Sequence, residues 1–257
     1  MPTDDSQFDM ETLRADHTSA AVAQRIAGEI RQSYLRDFVY GAIDGCVTTF
    51  AIVSGVVGAN LDLSIVLILG TANVLADGFS MAVSNYLGTK TSVQMVHRAR
   101  EIEEMHVDRI PDGEIEEVRE IFRRKGFEGE LLDRVVDVIT GDRGLWIDTM
   151  VREEWGLSLS QPSPWKAAWV TFAAFLAAGL VPLLPFAILH ALGSDGQTAF
   201  VISSAATGAT FFGIGALKSR YVAGGWFRAG LETFLVGGGA ALLAFVVGWL
   251  LKGLAGG

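Results

Sequence analysis

The stretch Asn73-Val-Leu-Ala-Asp77-Gly-Phe-Ser-Met81-Ala-Val-Ser-Asn85, with the run Glu101-Ile-Glu-Glu-Met-His-Val-Asp108 beyond it, decides the fold. Steps of four place Asn73, Asp77, Met81 and Asn85 in one stripe down a helix face. The rest of that helix is apolar enough for lipid or for buried packing. The second run sets four carboxylates, a thioether and an imidazole within little more than two helical turns. A membrane helix here continues into an acidic one outside the membrane. A carboxylate in hydrocarbon is costly and marks a functional site by default. A soft sulfur one turn from it points to a transition metal.

Composition agrees. The chain has 257 residues, is 50% hydrophobic, has a mean hydropathy of +0.37 and is only 19% charged. Of its 49 charged side chains, 29 lie between Lys90 and Lys166. That segregation reads as a membrane bundle carrying one soluble insertion. A net charge of −9 argues against a nucleic-acid partner, which calls for a basic face. The single cysteine, Cys46, excludes an internal disulfide and a CxxC metal site. The acidic N-terminus (Asp4, Asp5, Asp9, Glu11) lacks the basic region of a cleavable signal peptide. Residues 1–16 read as a disordered tail. From His17 to Arg36, Val22, Ile26, Ile30 and Tyr34 recur every four residues. This reads as an amphipathic helix, either on the membrane surface or packed on the insertion.

Five stretches approach the roughly 20 residues a crossing needs: Phe38–Asn60, Leu63–Leu87, Ala167–Leu192, Thr198–Leu217 and Ala229–Leu251. With the N-terminus cytoplasmic, 19 of the 20 Lys and Arg residues fall inside and only Lys252 outside. The expected fold is therefore an all-α membrane protein. Five transmembrane helices carry a cytoplasmic helical insertion between the second and third, and the C-terminus is outside. Its parts are an N-terminal tail and surface helix (1–37), two membrane helices (38–88), the helical insertion (89–165) and three membrane helices (166–257). Thr89–Arg109 is expected to extend the second membrane helix into the insertion, and Pro111-Asp-Gly113 to break it. Helices follow over Glu114–Lys125, Glu128–Thr140 and Leu145–Trp155, stopped by Gly126, Gly141 and Gly156. Pro182 and Pro185 are expected to kink the third crossing.

Asp37 and Asp44 share nearly one face of the first crossing, Asp44 about 10 Å deeper. The second crossing returns, so Asp44, Asp77 and Met81 can lie at comparable depth. Alternatively, Asp77 bonds a neighbouring helix and Met81 fills the core. In the insertion, Glu103 and His106, and Glu114 and Glu117, are spaced i,i+3; Met150 and Glu154 are spaced i,i+4. Each pair shares a face and could hold one ion, or simply be solvated. Glu103-x-x-His106 is half of a ferritin-like di-iron site, but the sequence holds no second Glu-x-x-His. Gly41-x-x-x-Gly45 would let helices approach closely.

Asp44-Gly45, Ala76-Asp77-Gly-Phe-Ser-Met81, Pro-Asp-Gly-Glu114-x-x-Glu117 and Trp146-x-Asp-x-Met150 together resemble the vacuolar iron transporter family. That family includes the yeast calcium-cross-complementer-type iron/manganese transporters. The likeness runs from about Arg36 to the C-terminus. It implies a homodimer with a metal path between the two first helices, and proton-coupled export of Fe²⁺-like ions from the cytosol. By position it makes Asp44 and Met81 membrane ligands and Asp37 an acid at the entrance. It makes Glu103, Glu114, Glu117, Met150 and Glu154 cytoplasmic ligands. This chain departs from the family's plant and protist members at Asn73 (a glutamate there), His106 (an acid) and Val151 (a methionine).

The expectation is a non-enzymatic exporter of Fe²⁺ or Mn²⁺, with Co²⁺ and Zn²⁺ as further candidates. Protons, the bilayer and a second copy are its partners, and it carries no prosthetic group. The candidate metal residues are Asp37, Asp44, Asp77, Met81, Glu103, His106, Glu114, Glu117, Met150 and Glu154. The alternatives are a membrane di-metal oxidase and a non-transporting metal sensor. The Ala/Gly-rich helices and missing targeting segment point to a prokaryotic plasma membrane.

Overall fold

The computed structural model describes residues 10–27, 33–192, 196–219 and 225–255, which hold eleven helices and no strand. The chain divides into two units between Gln32 and Ser33.

In the first unit, α1 spans Met10–Asp16 and α2 spans Ser19–Ala27. Two expectations are corrected here. The tail is helical from Met10, and the next helix begins at Ser19 instead of His17. The Thr18 hydroxyl accepts from Ala21 N at 3.4 Å and so starts a separate helix. Residues 1–9 and 28–32 of those expectations lie outside the described residues. Tyr34 belongs to the second unit instead. Its hydroxyl accepts from Ser163 N at 3.0 Å, tying the start of one long apolar helix to the start of another.

The second unit begins with α3 (Leu35–Gly58) and α4 (Leu63–Arg109). Their tight turn uses Asn60 at φ 57°, a conformation Asn tolerates better than most residues. Asp62 caps α4, accepting from Ser64 N at 2.8 Å, which holds its carboxyl below the usual range. α4 is one unbroken helix of 47 residues. At ~1.5 Å per residue it is about 70 Å long, over twice the ~30 Å hydrocarbon core. Its charged half carries α5 (Pro111–Arg124), α6 (Gly129–Thr140) and α7 (Arg143–Glu153). Val118, Leu132, Val136, Ile139, Trp146 and Met150 form the core of this helical segment. Ala99, Ile147 and Val151 bind α7 to α4.

α4 ends at Arg109, as the Pro111-Asp-Gly113 segment predicts, but that segment forms the first turn of the next helix instead of a break between helices. Pro lacks the N–H that a first helical turn leaves unused, so α5 begins at Pro111 and only Ile110 separates it from α4. Gly126 (φ 92°) ends that helix as its sequence predicts.

The chain then enters α8 (Pro164–Leu180) and α9 (Leu184–Ala191), bent by 44°. The break contains Pro182, and Pro185 stands in the first turn of α9, where the sequence predicts a kink. The carbonyl of Pro182 accepts from the buried Ser203 hydroxyl at 2.7 Å, as an interrupted helix in an apolar setting requires. Ser203 lies on α10 (Gly196–Lys218), which precedes α11 (Trp226–Ala255). α3, α4, α10 and α11 are each long and apolar enough to cross a membrane, and α8 with α9 makes a fifth if the pair is one span.

α3 is the axis of the bundle, packed against α4, α8, α10 and α11. Gly41 and Gly45 are the reason. A Cβ on either would run into the α8 backbone carbonyl of Thr171 or Phe175, and at Gly45 would also stand 2.9 Å from Phe175 Cα. The small-residue motif therefore joins two helices of one chain. Gly45→Ala should destabilise the protein by about 1–3 kcal/mol, because backbone cannot yield as a side chain can. Gly213→Ala meets nothing within 4 Å and should leave the melting temperature unchanged or higher. Thermal unfolding of both variants in detergent checks the contrast.

Candidate metal centre

The reversal at Ile110 folds the start of α5 back on the end of α4. Glu103, on α4, and Glu114, in the first turns of α5, are both fully buried. His106 stands one turn after Glu103. One potential ligand atom from each of these three residues lies within 4.8 Å of the others. His106 Nδ1 is 3.1 Å from Glu114 Oε1. Trp155, just past α7, donates its indole N–H to Glu103 Oε1 at 2.7 Å.

The surrounding charges are sorted. Arg98, Arg100, Arg119, Arg123, Arg124, Lys125, Arg134 and Arg143 all form ion pairs. Their partners are Glu101, Glu104, Asp148, Glu116, Asp133, Glu120, Glu153, Glu130 and Asp108, none a candidate ligand. Among the described residues no Lys or Arg pairs with Glu103, Glu114, Glu117 or Glu154. Oε2 of both Glu103 and Glu114 is buried without a donor. A buried carboxylate with no cation is among the costlier things a fold can keep. Burial, aided by the charges of Glu103, Glu117 and Glu154, pushes the Glu114 carboxyl up to about 8. Burial and the Glu103 and Glu117 charges also raise Glu154, against the opposing pull of His106. A divalent cation would relieve all of these strains at once.

The other candidates in this segment lie around that group. Glu117 and Glu154 are exposed but close enough for their charges to act on Glu114. Met150 is fully buried in the hydrophobic cluster with Val118 and Trp146. The sequence does not single out Trp155. An indole is donor-only and follows no helical periodicity that would mark it as serving a carboxylate.

In the apolar helices, Asp44 on α3 lies near enough to Asp77 on α4 for their charges to interact. Asp77 accepts from Asn73 Nδ2 on its own helix, so its hydrogen-bond partner is not on a neighbouring one. Met81 is half-buried one turn further along. Asp44 lines a cavity of about 560 Å³ whose walls include Arg36, Tyr40 and Lys218. Asp37 is buried, and Oδ1 accepts from Asn85 Nδ2 at 2.8 Å. Asn85 also donates to Thr171 Oγ1 at 2.7 Å, so this end of the stripe binds α3, α4 and α8 together.

Apolar spans bearing carboxylates, continuous with a helical segment whose inner acids lack cations, define a membrane protein suited to handling metal ions. The chain belongs to the VIT family, which it matches over residues 35–249. It is 32% identical over 257 residues to a vacuolar iron transporter of Toxoplasma gondii, covering 95% of this chain and 85% of that one. It is 32% identical over 239 residues to vacuolar iron transporter 1 of Arabidopsis thaliana, covering 91% and 90%. It is also 32% identical over 222 residues to vacuolar iron transporter 2 of Oryza sativa subsp. japonica, covering 85% and 86%. These relatives are named as transporters, which fits a non-enzyme and counts against the oxidase alternative. Their names refer to a vacuole, so the prokaryotic plasma membrane finds no support in them.

Between pH 4.5 and about 8 the folded chain keeps a proton on Glu114 that the unfolded chain has released. The metal-free protein should therefore lose stability as pH rises through that window. Millimolar Mn²⁺ or Glu114→Gln should flatten the dependence, as melting temperatures across the range would reveal. Trp155→Phe leaves Glu103 without its donor. It should cost about 1–3 kcal/mol and weaken Mn²⁺ binding by calorimetry.

Proposed function

We propose that the protein exports divalent transition metal, Fe²⁺ or Mn²⁺, from the cytosol in exchange for protons, working as a homodimer. Co²⁺ and Zn²⁺ are further candidate cargo. The observation that carries the reading is the sorting of charge in the α4–α7 segment, which leaves Glu103 and Glu114 buried without a cation beside His106. The iron transporters among its relatives support the cargo.

In this reading residues 89–165 are a cytoplasmic metal-binding domain between membrane helices 38–88 and 166–257, with 1–37 a surface segment. Five crossings set the C-terminus outside, an orientation that the distribution of basic residues supports. Glu103, His106, Glu114, Glu117 and Glu154 collect metal, with Met150 as a further ligand. The proton held by Glu114 leaves as the ion arrives. The ion then passes Asp37 and is held by Asp44 and Met81 of both subunits, with Asp77 adjusting the charge there. Two ligands doubled by symmetry make a four-ligand shell. Protonation of Asp44 from the far side ejects the ion. Asn73 offers no proton of its own, so coupling falls to the aspartates.

Met81 supplies selectivity. Mg²⁺ and Ca²⁺ want oxygen and gain nothing from a thioether, whereas softer Fe²⁺, Mn²⁺ and Co²⁺ do. Met81→Leu keeps volume and apolarity, so folding should survive within about 1.5 kcal/mol. In proteoliposomes with an internal pH dye, wild type should move Mn²⁺ and Fe²⁺ with counter-flow of protons. Met81→Leu should lose most of that flux, and Glu114→Ala with Glu117→Ala should weaken capture without abolishing transport. Wild-type flux in Met81→Leu would make Met81 core filling. Metal flux without a pH change would remove the proton coupling.

A further inference from the structure

The outer faces of α4 and α8 enclose a groove of about 280 Å³, distant in role from every candidate metal residue. Phe79, Val83 and Tyr86 of α4 form one wall, and Trp165, Trp169 and Phe172 of α8 form the other. Its size is near the ~300 Å³ of the smaller ligand pockets, and its lining is wholly apolar or aromatic. The rings are organised: Tyr86 and Trp165 stand 4.9 Å apart, and Trp169 meets Phe172 edge-on at 6.0 Å.

One end of the groove is different in kind. Lys90 lies one turn beyond Tyr86, its ammonium 5.8 Å from the centre of that ring. Lys166 directly follows Trp165 and is exposed. Neither lysine forms an ion pair among the described residues, although eight bases of the α4–α7 segment do. The two cations stand where α4 leaves its apolar half and α8 enters its own. Tyr and Trp side chains favour that level of a bilayer, with rings toward the chains and polar edges toward the headgroups.

We propose that this groove binds an anionic phospholipid of the membrane, an acyl chain along the aromatic walls and the phosphate beside Lys90 and Lys166. The shape suits a chain and the end suits a negative headgroup. A second copy of the protein suits it less. A two-fold contact through this face would set the same pair of lysines from each copy on one interface, against a groove whose lining holds no acid. The inference rests on α4 and α8 lying in a membrane and is independent of which metal is carried.

The test is native mass spectrometry of the full chain in detergent, given phosphatidylglycerol or phosphatidylcholine of identical acyl chains. Wild type should retain the anionic lipid about tenfold better at equal concentration. Lys90→Gln with Lys166→Gln should bring that preference to within about twofold, with phosphatidylcholine retention unchanged. Trp169→Ala, which opens the groove wall, should lower retention of both lipids. Equal retention of the two lipids by wild type would overturn the proposal, as would an unchanged preference in the double lysine variant. A fall in dimer fraction in Trp169→Ala, with lipid retention unchanged, would overturn it too and make the groove a face between copies.

Discussion

Everything in this protein hangs on α4 being one helix. A rod of 47 residues cannot bend its charged half away from its apolar half without breaking backbone hydrogen bonds. Asp77 and Glu103 are therefore held on a single element, about 39 Å apart at the helical rise. α5 and α7 take their positions from the far end of that rod. α8 packs beside its apolar end and, through Asn85 and Thr171, is bonded to it.

The charged segment illustrates how a fold can keep an energetically poor arrangement. Its eleven ion pairs include ten that involve Arg or Lys, mostly exposed and of small individual value. What matters is which acids they leave out. Glu103 and Glu114 are fully buried and brought within reach of each other, with a histidine and one indole N–H for company. Such a site is destabilising when empty, and that is the condition under which binding a cation becomes favourable.

In the apolar bundle the corresponding device is close backbone approach. Gly41 and Gly45 bring α3 against α8, and Gly248 of α11 approaches Gly55 of α3 so closely that a Cβ there would stand 2.9 Å from the Gly55 carbonyl carbon. Helices drawn together by small residues leave Asp44 beside an open cavity, with Asp77 near enough to feel its charge.

Much of this was legible in the order of residues alone. Long apolar runs, the charge-dense stretch from Lys90 to Lys166, the glycine stop at Gly126 and the proline bend at Pro182 follow from local physics. Hydrophobic length, helix capping and a missing N–H act within a few residues. The i,i+3 pairing of Glu103 with His106 and of Glu114 with Glu117 was visible for the same reason. Which of those pairs meet was not. Glu103 and His106 reach Glu114 only because Pro111 starts a helix at once and reverses the chain in a single residue. Asp37 was legible as an acid near a helix end, but its burial against Asn85 depends on a partner 48 residues away. Trp155 bonds Glu103 across a separation of 52 residues, for which no local pattern exists. Sequence determined the elements and their chemistry, because those are set by neighbours along the chain. The tertiary structure decided which carboxylates lose their water and their counter-ions, because burial is set by neighbours in space.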